Sequence, residues 1–169
     1  DISQIPPYWI DQAKQLTFHY AHTSHGSQVV SGAECLEYLD PFYSIAVRTS
    51  ETEGLPPVEV PPALRMYDGN PPGTYINPED YWDSDGGRTR TRAVAATSHY
   101  DYSMWSWCGQ VSWIDETYLQ SYLNVMSQFE TEYPAMRFIL MTGHTDGSGE
   151  TGNLHVRNNQ IRNYALAHD

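Results

Sequence analysis

Two periodicities of apolar and polar positions alternate along the chain. Residues 15–21 form a short β-capable run, which stops at a polar cluster over residues 22–27. Apolar residues then recur at helical spacing over residues 29–39, and Pro41 follows them. This part of the chain is therefore predicted to be a strand, a polar turn and a helix.

The same succession returns in the second half of the chain. Residues 101–107 predict a strand, and residues 115–133 predict an amphipathic helix that Pro134 ends. Residues 136–142 are nearly all apolar, which is typical of a strand buried on both faces of a parallel sheet. Residues 153–168 predict a final helix.

Regular patterning is absent from residues 41–92. Paired prolines recur there and argue against long regular elements. They lie at residues 56–57, 61–62 and 71–72. We predict a long irregular insertion with one short strand near residues 44–49, packed against the domain through Tyr67, Tyr75, Tyr81 and Trp82. Residues 1–14, which contain Pro6-Pro7, predict an extended N-terminal arm.

Strands that alternate with helices predict an α/β fold with a parallel sheet and right-handed crossovers. In such sheets, ligands bind beyond the carboxyl ends of the strands. We therefore expect the polar residues that follow the three predicted strands to share one edge of the sheet. They are Ser24 after the first strand, Gly109 and Gln110 after the second, and His144 and Asp146 after the third.

Length and charge narrow the class of protein. The 169 residues suit a single domain, and 9 Lys and Arg against 21 Asp and Glu give a net charge of −12. This charge argues against a nucleic-acid binder and against contact with an anionic membrane. Apolar residues at 40% and aromatic residues at 13% predict a packed core. No apolar run approaches the roughly 20 residues of a spanning helix, and the acidic start at Asp1 fits a processed, exported protein.

The two cysteines are predicted not to form a disulfide with each other. Cys35 lies about 16 Å along the first predicted helix, whereas Cys108 lies at a strand end near the start of that helix. Bridged Cα atoms must lie within about 7 Å of each other. The two cysteines also do not form a metal-binding pair.

Ser24 has two interpretations. In a tight turn between a strand and a helix, its hydroxyl is placed as a nucleophile beside backbone N–H groups that stabilise an oxyanion. Alternatively, Ser24 or Ser27 is a helix N-cap. Gln110 and the Gly109 N–H are candidate hydrogen-bond donors to the same oxyanion. Alternatively, Gln110 only satisfies polar groups of its loop.

The histidines also have more than one interpretation. His144 is a candidate general base that Asp146 orients, or a loop histidine beside a glycine turn. His19, His22 and His25 are spaced by three residues, but they span a strand and a turn and should point in different directions. We therefore predict no metal site from these three histidines.

Two oxygen-rich segments, residues 83–87 and 146–150, are similar to calcium loops. Neither completes the twelve-residue pattern of an EF-hand. Calcium at Asp83 and Asp85 stays an open alternative.

Three segments resemble exported bacterial proteins related to the SGNH (GDSL-like) hydrolases. They are residues 18–28, 104–110 and 138–144, and the likeness covers most of residues 15–169. The resemblance implies a flavodoxin-like three-layer fold and hydrolysis of acyl or acetyl esters, often on carbohydrates or lipids, without a cofactor. It also implies that Ser24 is the nucleophile and that Gly109 and Gln110 form the oxyanion block.

The chain departs from the family pattern at three places. His22-Thr23-Ser24 stands where the family has Gly-Asp-Ser, and Gln110 stands for an asparagine. The family's catalytic Asp and His follow a fifth strand, into which the final predicted helix would lead. Either this last strand and its block are missing from residues 1–169 or lie on another chain, or His144 replaces the base.

The candidate residues, taken with what the resemblance implies, thus predict a serine-dependent ester hydrolase at the cell exterior, secreted, periplasmic or on the cell surface. Its substrate is a small ester or a glycan, with His22 and His25 beside it. The alternative is a non-catalytic surface protein that holds a glycan by aromatic stacking or has a structural role. The tryptophans that would stack are Trp82, Trp105, Trp107 or Trp113.

Overall fold

A five-stranded sheet forms the centre of the computed structural model, which describes residues 2–50, 54–69, 73 and 75–168. Every neighbouring pair of strands is parallel. The order across the sheet is β2-β3-β1-β4-β5. The strands are β1 (Thr17–His22), β2 (Ile45–Thr49), β3 (Leu64–Asp68), β4 (Tyr102–Ser106) and β5 (Arg137–Ile139).

Helices flank this sheet. They are α1 (Pro7–Ala13), α2 (Ser27–Leu39), α3 (Glu79–Trp82), α4 (Asp85–Ala96), α5 (Glu116–Glu132) and α6 (Asn153–His168). Asp115 caps α5 by accepting a hydrogen bond from the Tyr118 N–H at 2.7 Å, which explains why the amphipathic pattern begins there. Among the described residues, no helix combines the length and the apolar character that crossing a membrane requires.

The three strands predicted from the sequence pattern are neighbours. β1 pairs with β4, and β4 pairs with β5. The predicted parallel arrangement is confirmed, so the carboxyl ends of these strands lie at one edge of the sheet. The order is not the 2-1-3-4-5 order of flavodoxin-like sheets, because β3 lies between β2 and β1.

Apolar side chains cover both faces of the sheet. Successive residues of a strand point to opposite faces, so Met104 packs in one cluster and Trp105 in the other. The larger cluster joins Trp105 to α3 and α5 through Tyr81, Trp82 and Tyr122. On the other face, Met104 and Val30 of α2 belong to the smaller cluster. The prediction of a packed core is therefore confirmed.

The prediction of an irregular insertion over residues 41–92 is wrong. This segment supplies two strands of the sheet, β2 and β3, and most of α4. The prolines at 56–57 and 61–62 lie in the connection between β2 and β3, so they shorten the elements without preventing them; residues 71–72 lie outside the described residues.

Tertiary contacts explain why α4 has so weak a pattern in the sequence. It buries small or polar side chains such as Thr91, whose hydroxyl donates to the Tyr81 carbonyl at 2.7 Å. The aromatic residues of the segment pack inward as predicted at Tyr67, Tyr81 and Trp82, whereas Tyr75 is exposed.

The extended arm predicted for residues 1–14 is also wrong. Residues 7–13 form α1, with Pro7 in its first turn. Proline is compatible with that position because its missing N–H has no partner in the first turn of a helix.

Candidate functional site

The loops after β1, β4 and β5 meet at the carboxyl edge of the sheet. The imidazole Nδ1 of His25, after β1, lies 3.3 Å from Cys108 Sγ, after β4. The same ring stacks on that of His144, after β5, with 3.9 Å between ring centroids and 30° between the planes. The topology therefore brings residues from three distant parts of the sequence into one cluster.

Ser24 occupies a tight, exposed turn beside this cluster. It begins a short 3₁₀ turn, Ser24–Gly26, that leads directly into α2. Its φ of +31° is unusual for a residue with a side chain, and such backbone strain concentrates at functional sites. Glycine at position 26 makes the turn possible, because a Cβ there would lie 2.2 Å from the His22 Cβ.

Neither serine of the turn acts as a helix N-cap. The Ser24 hydroxyl has no hydrogen-bond partner among the described residues, and the Ser27 hydroxyl donates to the Ser24 carbonyl at 2.8 Å. The N-cap interpretation is therefore wrong, and the nucleophile interpretation of Ser24 stays a prediction.

His144 is held in one orientation by backbone atoms. Its Nδ1 lies 2.9 Å from the Thr145 carbonyl oxygen, which accepts a hydrogen bond from the Nδ1–H. The other nitrogen, Nε2, carries the lone pair, and it is buried without a partner in the described part of the chain. The preceding Gly143 is bound to α6, because Asn158 Oδ1 accepts from its N–H at 2.8 Å and Asn158 Nδ2 donates to its carbonyl at 3.2 Å.

Asp146 takes part in a separate set of contacts. Its Oδ1 accepts hydrogen bonds from the Ser148 N–H at 2.8 Å and from the Ser148 hydroxyl at 2.6 Å. The hydroxyls of Ser112 and Ser148 lower the pKa of the Asp146 carboxyl to about 2. In this structure the Thr145 carbonyl, and not Asp146, contacts His144 Nδ1.

Gln110 braces the loop that carries Cys108. Its amide oxygen accepts from the Cys108 N–H at 2.8 Å, and its amide nitrogen donates to Asn77 Oδ1 at 3.3 Å and to Glu79 Oε2 at 3.5 Å. Burial raises the pKa of Glu79 above its ordinary value. In this conformation Gln110 satisfies one N–H of its own loop and links that loop to the start of α3, which agrees with the structural one of its two interpretations.

Gly109 lies under an exposed tryptophan. A Cβ at this position would approach the Trp113 ring to 2.7 Å. Trp113 is 74% exposed, whereas Trp82, Trp105 and Trp107 are buried in the core. Of the four tryptophans considered for glycan stacking, only Trp113 offers a ring to solvent.

His22 forms a buried pair that sequence analysis missed. Its Nε2 lies 2.9 Å from Asp68 Oδ1, with both side chains at most 10% exposed. The second carboxylate oxygen accepts from the Thr49 hydroxyl at 2.9 Å. Asp68 ends β3, which fell in the segment predicted to be irregular, so the pattern offered no signal for it.

His19 is a core residue. Its Nδ1 accepts from the Ser103 hydroxyl at 2.8 Å, and its Nε2 donates to the Gly69 carbonyl at 3.1 Å. Burial lowers the pKa of His19 to about 4. As predicted, His19, His22 and His25 point to different partners.

One set of side chains has the donor atoms of a metal site. His25, Cys108 and His144 each offer a ligand atom, and these atoms lie within 4.8 Å of one another; no other such set of three exists among the described residues. Asp83 and Asp85, the candidate calcium ligands, therefore do not belong to a set of three such side chains. Both cysteines are free, as expected, and Cys35 is exposed on α2.

Cys108 was the functional candidate that sequence reasoning overlooked. It directly follows the strand predicted over residues 101–107, just as Gly109 and Gln110 do. The rule that selected those two residues would also have selected Cys108.

The fold and the site define an α/β parallel-sheet protein with a cluster of histidine, cysteine and serine side chains at the carboxyl edge of its sheet. Comparison of the chain with family models, curated proteins and solved structures found no match.

Proposed function

We propose that the protein is a serine-dependent ester hydrolase of the SGNH-like kind, which acts on acyl or acetyl esters, including those on glycans. The observation that carries the proposal is the stack of His25 on His144. It joins the turn that holds the free Ser24 hydroxyl to the loop that holds the unpartnered His144 Nε2.

The proposed reaction assigns the nucleophile to Ser24 and the general base to His144, two groups that share no hydrogen bond in this structure. Ser24 attacks the ester carbonyl, and its proton passes to His144 Nε2, because Nδ1 already carries a hydrogen, which it donates in a hydrogen bond to the Thr145 carbonyl. The same proton then goes to the departing alcohol. Water hydrolyses the acyl-serine by the reverse sequence of proton transfers.

The oxyanion of the intermediate needs hydrogen-bond donors. In the proposal these are the Gly109 N–H and the His25 N–H after Ser24, since the next N–H, that of Gly26, already donates to the Thr23 carbonyl at 2.8 Å. Gln110 joins them only if its amide leaves Asn77 and Glu79, both of which it contacts at 3.3 Å or more. His25, which is exposed, would border the substrate on the side of β1, whereas His22 is buried against Asp68.

The strand order supports this location for a site. From β1 the chain passes to β2 and β3 on one side, and then to β4 and β5 on the other. Ligands of open α/β sheets bind at such a switch point, and the Ser24 turn and Cys108 follow the two strands that border it. If β2 is treated as an additional edge strand, the remaining strands lie in the order β3-β1-β4-β5. Numbered again in chain order, these four strands have the order 2-1-3-4, with which a flavodoxin-like sheet begins. This order agrees with the resemblance.

A second candidate function is binding of a glycan without catalysis. The exposed ring of Trp113 favours it, since this ring lies over Gly109 and lines a surface groove with Glu79, Gln110 and Tyr118. An exported location, which either function would share, is part of the proposal and rests on the resemblance.

The test is hydrolysis of a nitrophenyl acetate ester. We expect Ser24→Ala to lower kcat/KM by several orders of magnitude, whereas Ser31→Ala, an exposed serine of α2, leaves it unchanged. His144→Gln should also remove most of the activity. Turnover that survives Ser24→Ala would refute the mechanism, and glycan binding that Trp113→Ala abolishes without any turnover would establish the second candidate.

A further inference from the structure

We infer that His25, Cys108 and His144 form a binding site for a late transition-metal ion, with Zn²⁺ as the expected occupant. The three residues lie in three different loops, yet their ligand atoms are within 4.8 Å of one another. This inference does not depend on ester hydrolysis.

The distances fit a small coordination sphere. Zn²⁺ binds sulfur at about 2.3 Å and histidine nitrogen at about 2.0 Å, so tetrahedral ligand atoms lie about 3.3–3.6 Å apart. His25 Nδ1 is already 3.3 Å from Cys108 Sγ. Movements of about 1 Å would bring the remaining separations into the range of a tetrahedral site.

The buried Nε2 of His144 provides an independent observation. A buried polar nitrogen without a partner carries a free-energy cost because it has lost its hydrogen bonds to water, and this atom has no partner within the described chain. Its Nδ1 faces the Thr145 carbonyl, which is the arrangement that orients a metal-binding imidazole. A metal ion at Nε2 would remove this cost.

Hydrogen bonds outside the cluster also hold the backbone at Cys108 and next to His144. The amide oxygen of Gln110 holds the Cys108 N–H, and Asn158 holds Gly143, the residue before His144. Such outer contacts fix the direction of metal ligands. His25 is exposed, which leaves a fourth position open to water.

The donor set selects the class of metal. One thiolate and two imidazoles suit Zn²⁺ and neighbouring late transition metals, whereas Mg²⁺ and Ca²⁺ require oxygen ligands. Binding converts the Cys108 thiol to a thiolate, and its proton is released to solvent. The net charge of −12 favours the approach of a cation.

Metal binding would compete with the proposed hydrolase chemistry at His144. A metal ion on His144 would occupy the lone pair that is proposed to accept the Ser24 proton. We therefore expect Zn²⁺ to inhibit Ser24-dependent hydrolysis and a chelator to restore it.

The test is titration of the chelator-treated full chain with Co²⁺, which reports a bound thiolate by a charge-transfer band in the near ultraviolet. We expect saturation at one ion per chain and displacement by Zn²⁺. Cys108→Ser should abolish the band, and His144→Gln should weaken binding at least about tenfold. The matched controls Cys35→Ser and His99→Gln should change neither.

The inference is overturned if the native chain shows no band, or if the band persists in Cys108→Ser or disappears in Cys35→Ser. A second measurement covers the case in which Cys108→Ser does not fold. Zn²⁺ should protect Cys108, but not Cys35, from alkylation in the native chain, and equal alkylation of both cysteines with and without Zn²⁺ would again refute the site.

The two proposals fail separately. Ester hydrolysis without metal binding would overturn only the metal site, and metal binding without hydrolysis would overturn only the proposed function. Hydrolysis that Zn²⁺ suppresses stoichiometrically would support both.

Discussion

Acidification should destabilise the protein through His19. This ring is fully buried, and burial lowers its pKa from the ordinary 6.5 to about 4. In the unfolded chain the imidazole binds a proton below about pH 6.5, whereas in the folded protein it stays neutral down to about pH 4. Stability from this group is therefore complete above about pH 6.5, and it is lost as the pH falls toward 4.

The size of the effect follows from the two pKa values. Each pH unit between them contributes about 1.4 kcal/mol, so the full difference is about 3 kcal/mol. Between about pH 7 and about pH 4.5, His19 should lower the free energy of unfolding by about 2 kcal/mol. For a chain of this size, that loss corresponds to a decrease in Tm of about 4–8 °C.

The assay is urea unfolding followed by tryptophan fluorescence at several pH values and constant ionic strength. His19→Gln removes the titrating ring but keeps a side-chain donor toward the Gly69 carbonyl, so its stability should depend less on pH than that of the native chain by about 2 kcal/mol over this range. His99→Gln, which removes an exposed histidine, should keep the native dependence.

Equal pH dependence in His19→Gln and the native chain would refute the reasoning. If His19→Gln does not fold, NMR titration of the His19 ring in the native chain replaces it. A ring that titrates near pH 6.5 would then contradict the buried, neutral state.

Two pairs of substitutions test the packing. Gly26→Ala should destabilise the protein by about 1–3 kcal/mol in thermal unfolding, because its Cβ would lie 2.2 Å from the His22 Cβ, whereas Gly32→Ala, in open space on α2, should stabilise it by about 0.5–1 kcal/mol; equal effects would show that the turn after β1 is placed wrongly. Trp105→Ala should cost about 3–5 kcal/mol in urea unfolding, because this ring is 1% exposed, and Trp113→Ala, at 74% exposed, should change stability by less than about 0.5 kcal/mol. A large loss in Trp113→Ala would mean that its ring packs in the core.

The sequence by itself determined the elements that have a strong local pattern. β1, β4 and β5, and the helices α2, α5 and α6, follow from runs of apolar residues with a period of two or 3.6. Since parallel strands place their carboxyl ends together, the same pattern also predicted that Ser24, Gly109 with Gln110, and His144 would lie at one edge of the sheet. Local propensity and topology were sufficient for this part of the site.

Only the tertiary structure decided the remaining elements. β3 is stabilised by pairing with β1 on one side and β2 on the other, and α4 packs through small side chains such as Thr91, so neither needs a strong pattern of its own. The orientation of the side chains in the site is also decided by the tertiary structure. His25 and Cys108 are 83 residues apart, and their 3.3 Å contact depends on the register of β1 with β4, on Gly26 in the turn and on the brace from Gln110. Periodicity reports which residues are buried along one element, but it carries no information about the distance between side chains on different elements.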